Sequence, residues 1–132
     1  MHALNVYHCD LKLSNIMVTM RGQVKLIDFG LVYFNKDGGP INSWAGTYPS
    51  PEALALKPYD LSKNEIYSFG YTLYLAVVGR HPFEEDWLGD TVLHDPKDLS
   101  PAMRDLVIGC LSQDPSKRPT LEEISDTLAR LA

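Results

Sequence analysis

The stretch LSKNEIYSFGYTLYLAVVG, residues 61–79, constrains the fold more than any other part of the chain. At 3.6 residues per turn, residues 63–78 are apolar on most sides, which predicts a central helix buried nearly all round. Such a helix cannot lie on a surface. The rest of the 132 residues must wrap it, which makes one domain around one core. Ser62, with Glu65 three residues later, offers a capping box at the start. Gly79 offers a C-terminal stop, and Pro82 forbids continuation. Ser68, Gly70 and Thr72 interrupt the apolar segment 66–78, which is also shorter than the ~20 residues a membrane helix needs.

The flanking segments read as smaller elements. Residues 5–7 suit a short strand. Residues 16–20 and 23–27 are apolar runs around Arg21-Gly22, a β-hairpin pattern with glycine in the turn. Periodicity is lost over residues 30–51, and NKDGGPINS (35–43) reads as an exposed, mobile loop. Residues 84–98 are acidic and irregular, with room for one short helix. Residues 100–111 predict a helix with Ser100 as N-cap and Pro101 at its first position. Its apolar Met103, Leu106, Val107 and Cys110 fall three or four apart. Residues 120–131 predict a last amphipathic helix with Leu121, Ile124, Leu128 and Leu131 on one face. Thr120 and Glu123 form its capping box. The expected class is α+β, mostly helical, with strands confined to the N-terminal end.

Charge narrows the partners. The net charge is −5 and the pI about 5.2. No basic stripe appears, so neither nucleic acid nor an anionic membrane surface is expected as a partner. Cys9 and Cys110 are far apart and lack metal-ligand spacing. This fits a reducing compartment, and no secretory signal pattern is visible, so a cytoplasmic location is expected.

The chemistry concentrates near the N-terminus, in HCDLKLSNIMV (8–18). Asp10 can accept a proton, and Lys12, two residues on, can neutralise a nearby anion. Asn15 offers a neutral oxygen to a hard cation such as Mg²⁺. IDFG (27–30) places Asp28 at the end of the hairpin's second strand, beside a flexible glycine. The hairpin would bring Asp28 back beside Asn15. One base, one cation and two oxygen ligands in one pocket are the inventory phosphoryl transfer needs. Either piece alone is an ordinary turn; their order, and the hairpin between them, carry the signal.

On these residues the chain resembles the C-terminal lobe of a eukaryotic-type protein kinase, over essentially its whole length. HCDLKLSN resembles the family's catalytic loop, DFG its magnesium-binding motif, and SPE (50–52) the Ala-Pro-Glu ending its activation segment. NEIYSFGYTLYLAVVGRHPF resembles the family's central helix, and CLSQDPSKRPT its late arginine-bearing segment. The resemblance implies three parts: residues 1–30 for the catalytic loop and metal-binding hairpin, 31–52 for the activation segment, and 53–132 for a helical subdomain. It implies ATP and Mg²⁺ as cofactors and a protein serine or threonine as acceptor. Asp10 would orient the acceptor hydroxyl, and Lys12 would stabilise the transferred phosphoryl group. Asn15 and Asp28 would hold the metals, Met17 would lie beneath the adenine, and His8 would stack with Phe29. Glu52 and Arg118 would form a buried pair fixing the activation segment to the body.

The departures are specific. Cys9 stands where most members carry the arginine that meets an activation-loop phosphate. Phosphorylation of Ser43 or Thr47 would therefore lack its usual anchor, and activity independent of loop phosphorylation is expected. Glu65 replaces the aspartate that usually holds the catalytic-loop backbone. GTYPSPE (46–52) is two residues shorter than the usual form. The glycine-rich loop, the Val-Ala-Ile-Lys strand and the helix glutamate of the nucleotide lobe do not occur in these residues. The resemblance thus implies a kinase-like C-terminal lobe with the N-terminal lobe absent. Its upper face is expected to be apolar, and the nucleotide lobe to come from another segment or a second chain. The alternative is a non-catalytic, pseudokinase-like module that regulates a full-length kinase.

Overall fold

The computed structural model describes residues 1–42, 46–85 and 91–132. Its centre is α2 (Leu61–Val78), with Leu61, Ile66, Tyr67 and Tyr74 in the core. The N-terminal turns are enclosed as expected, whereas Ala76 and Val77 in the last turn are exposed. The start of the helix departs from the expected capping box. Asp60 is the N-cap, its Oδ1 accepting from the amides of Ser62 at 2.8 Å and Lys63 at 3.2 Å. An aspartate caps as well as a serine, and Glu65 is taken up elsewhere. Gly79 closes the helix in the left-handed conformation, φ 79°.

Two helices complete the packing. In α3 (Pro101–Cys110), Ser100 caps the first turn and Leu106, Val107 and Cys110 are buried. In α4 (Leu121–Leu131), Thr120 and Glu123 form the expected reciprocal capping box. Ile66, Leu106, Cys110 and Ile124 make one core cluster across α2, α3 and α4. Of the expected α4 face, Ile124 is buried and Leu128 packs against that cluster, while Leu121 and Leu131 are exposed at its ends.

Among the described residues, three two-stranded antiparallel sheets decorate this body. β1 (Val6–Tyr7) pairs with β4 (Tyr33–Phe34), and β2 (Ile16–Val18) pairs with β3 (Val24–Leu26) as the expected hairpin. A third hairpin joins β5 (Phe83–Glu85) to β6 (Thr91–Leu93), with Phe83 opposite Leu93. It corrects one expectation, since strands are not confined to the N-terminal end; the described part of residues 84–98 contains no helix, and residues 86–90 lie outside the described residues. Phe83 and Leu93 both pack against the Tyr67–Tyr74–Val107 cluster, which favours paired strands presenting one apolar side. The helical share is correspondingly less than half of the chain, below the mostly helical expectation. A short α1 (Pro51–Leu54) was not anticipated.

The segment read as a mobile loop is partly pinned. Asn35 is buried and its Nδ2 donates to the Gly39 carbonyl at 2.8 Å, while Ile41 is buried and bridges Tyr59. Ser43 lies outside the described residues.

The tightest helix contact is α2 against α3. A methyl group at Gly70 would stand 2.4 Å from Cys110 Cβ. Gly70→Ala is therefore expected to push the helices apart and destabilise the chain by about 1–3 kcal/mol. A fall in the thermal midpoint checks this, and an unchanged midpoint would show that α3 can shift freely.

Candidate active site

The loop after β1 turns back on itself because one buried carboxylate holds it. Glu65 Oε1 accepts from the backbone N–H of Cys9 at 2.9 Å, and Glu65 Oε2 pairs with the His2 ring. Cys9 adopts a positive φ of 64° in this turn. Its own side chain points into the core with Tyr7, Ile41, Tyr59 and Leu61. Burial, with the Glu65 charge second, pushes the Cys9 thiol up to about 12. Cys9 is a packing residue in this setting, not a nucleophile.

Asp10 sits just beyond, almost buried. The Asn15 side-chain amide donates to the Asp10 carbonyl at 2.9 Å and to its Oδ2 at 3.3 Å. Lys12 Nζ stands 3.5 Å from the same Oδ2. Asp10 Oδ1 accepts twice from Thr47, from its N–H at 3.1 Å and its hydroxyl at 2.7 Å. Burial pushes the Asp10 carboxyl up. The Thr47 hydrogen bonds and the Lys12 ammonium outweigh it, so the group lies below the usual carboxylate range. It is a poised anion with a hydroxyl directed at it.

His8 braces this arrangement from beneath. Its Nδ1 accepts from the Asp10 N–H at 3.3 Å and its Nε2 contacts the Ile27 carbonyl at 2.9 Å, so the ring proton resides on Nε2. Phe29 meets the His8 ring edge-on, with centroids 5.1 Å apart. The Ile27 N–H in turn donates to the Asn15 carbonyl at 2.9 Å, tying the end of the hairpin to the loop. Asp28 follows with φ 58°, its Oδ1 accepting from the Gly30 N–H at 3.2 Å.

No cluster of three or more His, Cys, Asp or Glu side chains suited to a metal occurs among the described residues. Mg²⁺ does not require one, since it keeps waters and takes phosphate oxygens alongside one or two carboxylates. Asn15 and Asp28 fit that demand. The Asn15 amide nitrogen is committed to Asp10, so its side-chain oxygen is the atom it could offer to a cation. Asp28 Oδ2 has no partner among the described residues. Met17 lies on β2 with its side chain half exposed, opposite Lys25 of β3, and Val18, Met20, Val24 and Phe29 are each exposed as well.

Besides the Thr47 bonds to Asp10, the segment from Gly46 to Glu52 is anchored along its length. Gly46 presses on the loop so closely that a Cβ there would stand 2.1 Å from the Cys9 carbonyl oxygen. The Ser50 N–H donates to Asn64 Oδ1 at 2.9 Å. Arg118 grips Glu52 with both ends of its fork, at 2.6 and 2.8 Å. The same guanidinium donates to the Lys63 and Ser112 carbonyls and lies 5.0 Å from the centre of the Tyr67 ring.

The structure thus gathers Asp10, Lys12, Asn15, His8 and Phe29 around one point, and Glu52 and Arg118 at another. Sequence reasoning named Thr47 only as a modification candidate and missed its bond to Asp10. A threonine in an aperiodic segment carries no signal of its partner. His2 was missed for the same reason.

Comparisons with known proteins follow the same line. The profile of the protein kinase domain matches residues 1–128. Sperm motility kinase 2B of Mus musculus is 38% identical over 132 residues, covering 93% of this chain and 27% of its own length. Serine/threonine-protein kinase GRIK1 of Arabidopsis thaliana is 35% identical, covering 96% of this chain and 34% of its own. CBL-interacting protein kinase 1 of Oryza sativa subsp. japonica is 37% identical, covering 95% and 30%. The chain spans about a quarter to a third of the length of these curated relatives.

Two outcomes are expected. Burial pushes the Glu52 carboxyl up, but the Arg118 hydrogen bonds and charge carry it below its ordinary 4.5. Its stabilising contribution is therefore complete above that value and lost as pH falls through the lower folded value. Glu52→Gln should cost about 3 kcal/mol at neutral pH, the low end for a pair whose buried guanidinium is left uncompensated. It should also flatten the acid limb of the stability–pH curve, measured by urea unfolding between pH 7 and 3. Separately, Cys9 should resist alkylation in the native chain at pH 8 and react on unfolding, read by mass spectrometry.

Proposed function

This chain belongs to the protein kinase family, and we propose that it carries the base and metal-binding half of a protein serine/threonine kinase. The observation that carries this reading is the Asp10 carboxylate. It is held by Asn15 and Lys12 while a threonine hydroxyl donates to it at 2.7 Å. A substrate hydroxyl brought to Asp10 would find an ionised acceptor already oriented, and Lys12 beside the path of the phosphoryl group. Asn15 and Asp28 would hold Mg²⁺, which when bound supplies charge neutralisation on the ATP phosphates. Met17 would form the floor of the adenine site. His8 and Phe29 support this region mechanically.

The acceptor class, serine or threonine on a protein, is supported by Lys12 and by the printed name of GRIK1. A nucleotide-binding lobe would complete the site, either from another segment or from a partner chain. The exposure of the Met17 and Phe29 side chains supports that assignment. Burial of Cys9 at the position of the family's arginine supports activity independent of activation-loop phosphorylation, since no cation stands there to receive a phosphate. No described helix is long and apolar enough to cross a membrane. We assign a cytoplasmic location on the cysteine usage.

Transfer of labelled phosphate from ATP to serine and threonine peptides tests the reading, using the chain alone and supplemented with a family nucleotide lobe. The supplemented chain is expected to be active. Asp10→Asn should lower kcat about 10²–10⁴-fold, the usual contribution of a positioned base, and Asp28→Ala should abolish the Mg²⁺-dependent transfer. Absence of transfer in both preparations, with retained binding to a full-length kinase, would replace this reading with the regulatory one.

A further inference from the structure

Two buried hydroxyls on α2 have no role in the chemistry above. Ser68 and Thr72 are 5% and 4% exposed and lie one helical turn apart, on one face. Ser68 Oγ donates across to the Tyr48 carbonyl at 2.7 Å and lies 3.2 Å from the Asn64 carbonyl in its own helix. Thr72 Oγ1 reaches the Ser68 carbonyl at 2.8 Å and the Leu11 carbonyl at 3.2 Å. Each hydroxyl has one hydrogen, so each pair of contacts shares it. The shorter contact of Ser68 runs outward to the loop, whereas that of Thr72 runs back along the helix.

The positions of the two loop carbonyls are informative. Tyr48 directly follows Thr47, and Leu11 directly follows Asp10. The residues next to both partners of the Thr47–Asp10 hydrogen bond are therefore tethered to one turn of one helix. Neither residue belongs to a helix or strand, so no ladder of backbone bonds fixes these carbonyls. A buried serine or threonine could satisfy itself on the carbonyl four residues back. The outward 2.7 Å contact shows that Ser68 does more. Alanine and valine would fill the same space in a helix with no polar group to satisfy.

We infer that Ser68 and Thr72 are positioning residues: together they set the spacing of Asp10 and Thr47, with Ser68 the stronger anchor. A rigid helical turn with its 1.5 Å rise per residue acts as the ruler, and the two loops are registered against it independently of Glu65. The catalytic consequence rests on the phosphoryl-transfer reading above, because the spacing it fixes determines where the carboxylate of Asp10 points.

Amide hydrogen exchange on the full 132-residue chain tests the clamp without requiring activity, since the Thr47 N–H itself donates to Asp10. Ser68→Ala should speed exchange at Thr47 about three- to tenfold, the value of one hydrogen bond. Thr72→Val should speed it about twofold, and Thr72→Ser should leave it unchanged. Amides in α4 should exchange as before in all three. Unchanged exchange at Thr47 in both Ser68→Ala and Thr72→Val would overturn the inference, as would uniform acceleration through α4. If Ser68→Ala fails to fold, the Thr72→Val and Thr72→Ser pair decides on the same criteria. In the chain supplemented with a nucleotide lobe, Ser68→Ala and Thr72→Val should lower kcat with KM for ATP unchanged, and Thr72→Ser should restore it. A responsive Thr47 amide in a chain without phosphoryl transfer would uphold the clamp and reject the proposed function.

Discussion

A carboxylate inside a core must find donors, and Glu65 finds the backbone N–H of Cys9 and the ring of His2. That requirement organises the molecule. Burying α2 is favourable for its apolar side chains, but it carries Glu65 and Asn64 inward with them. Leaving either polar group unpaired would cost several kilocalories. The loops that satisfy them are therefore drawn against the helix with defined geometry. The hydrophobic drive to enclose α2 and the placement of Asp10 are one event, because the same helix supplies both the apolar surface and the polar grips.

The sequence showed this framework unevenly. The central helix, the last two helices and the first hairpin were legible, because periodicity and caps are local properties. The same locality explains the errors. Ser62 and Glu65 satisfy the pattern of a capping box, yet Asp60 makes the cap and Glu65 spans 56 residues to Cys9. Residues 83–93 lack alternation strong enough to announce strands, and their pairing follows from Phe83 and Leu93 sharing the Tyr67 cluster. The contacts among Asp10, Lys12 and Asn15 were foreseeable because the three lie within one short span. Thr47 and His2 were not, because their roles depend on partners 37 and 63 residues away.

Cys9 shows how the turn before Asp10 is packed. An arginine in its place would need a polar outlet. A cysteine instead joins Tyr7, Ile41, Tyr59 and Leu61 in a core cluster. The turn that carries it keeps the left-handed backbone and its bond to Glu65, so the loop retains its shape with an apolar plug in place of a charge. Gly46 is part of the same solution. It lets residues 46–47 approach the Cys9 carbonyl closely enough for Thr47 to reach Asp10. The contact between the two loops is thus made by the close backbone approach at Gly46 and by the amide and hydroxyl of Thr47 on Asp10.

The molecule also divides into a firm side and an open side. Arg118 is satisfied by Glu52, two carbonyls and an aromatic face, and it locks the segment beyond Thr47 to the body. β2 and β3, by contrast, leave Met17, Val18 and Val24 exposed. The Thr47 side of Asp10 is pre-set by the core, because Glu65 and Ser68 on α2 hold the residues next to both partners of that contact.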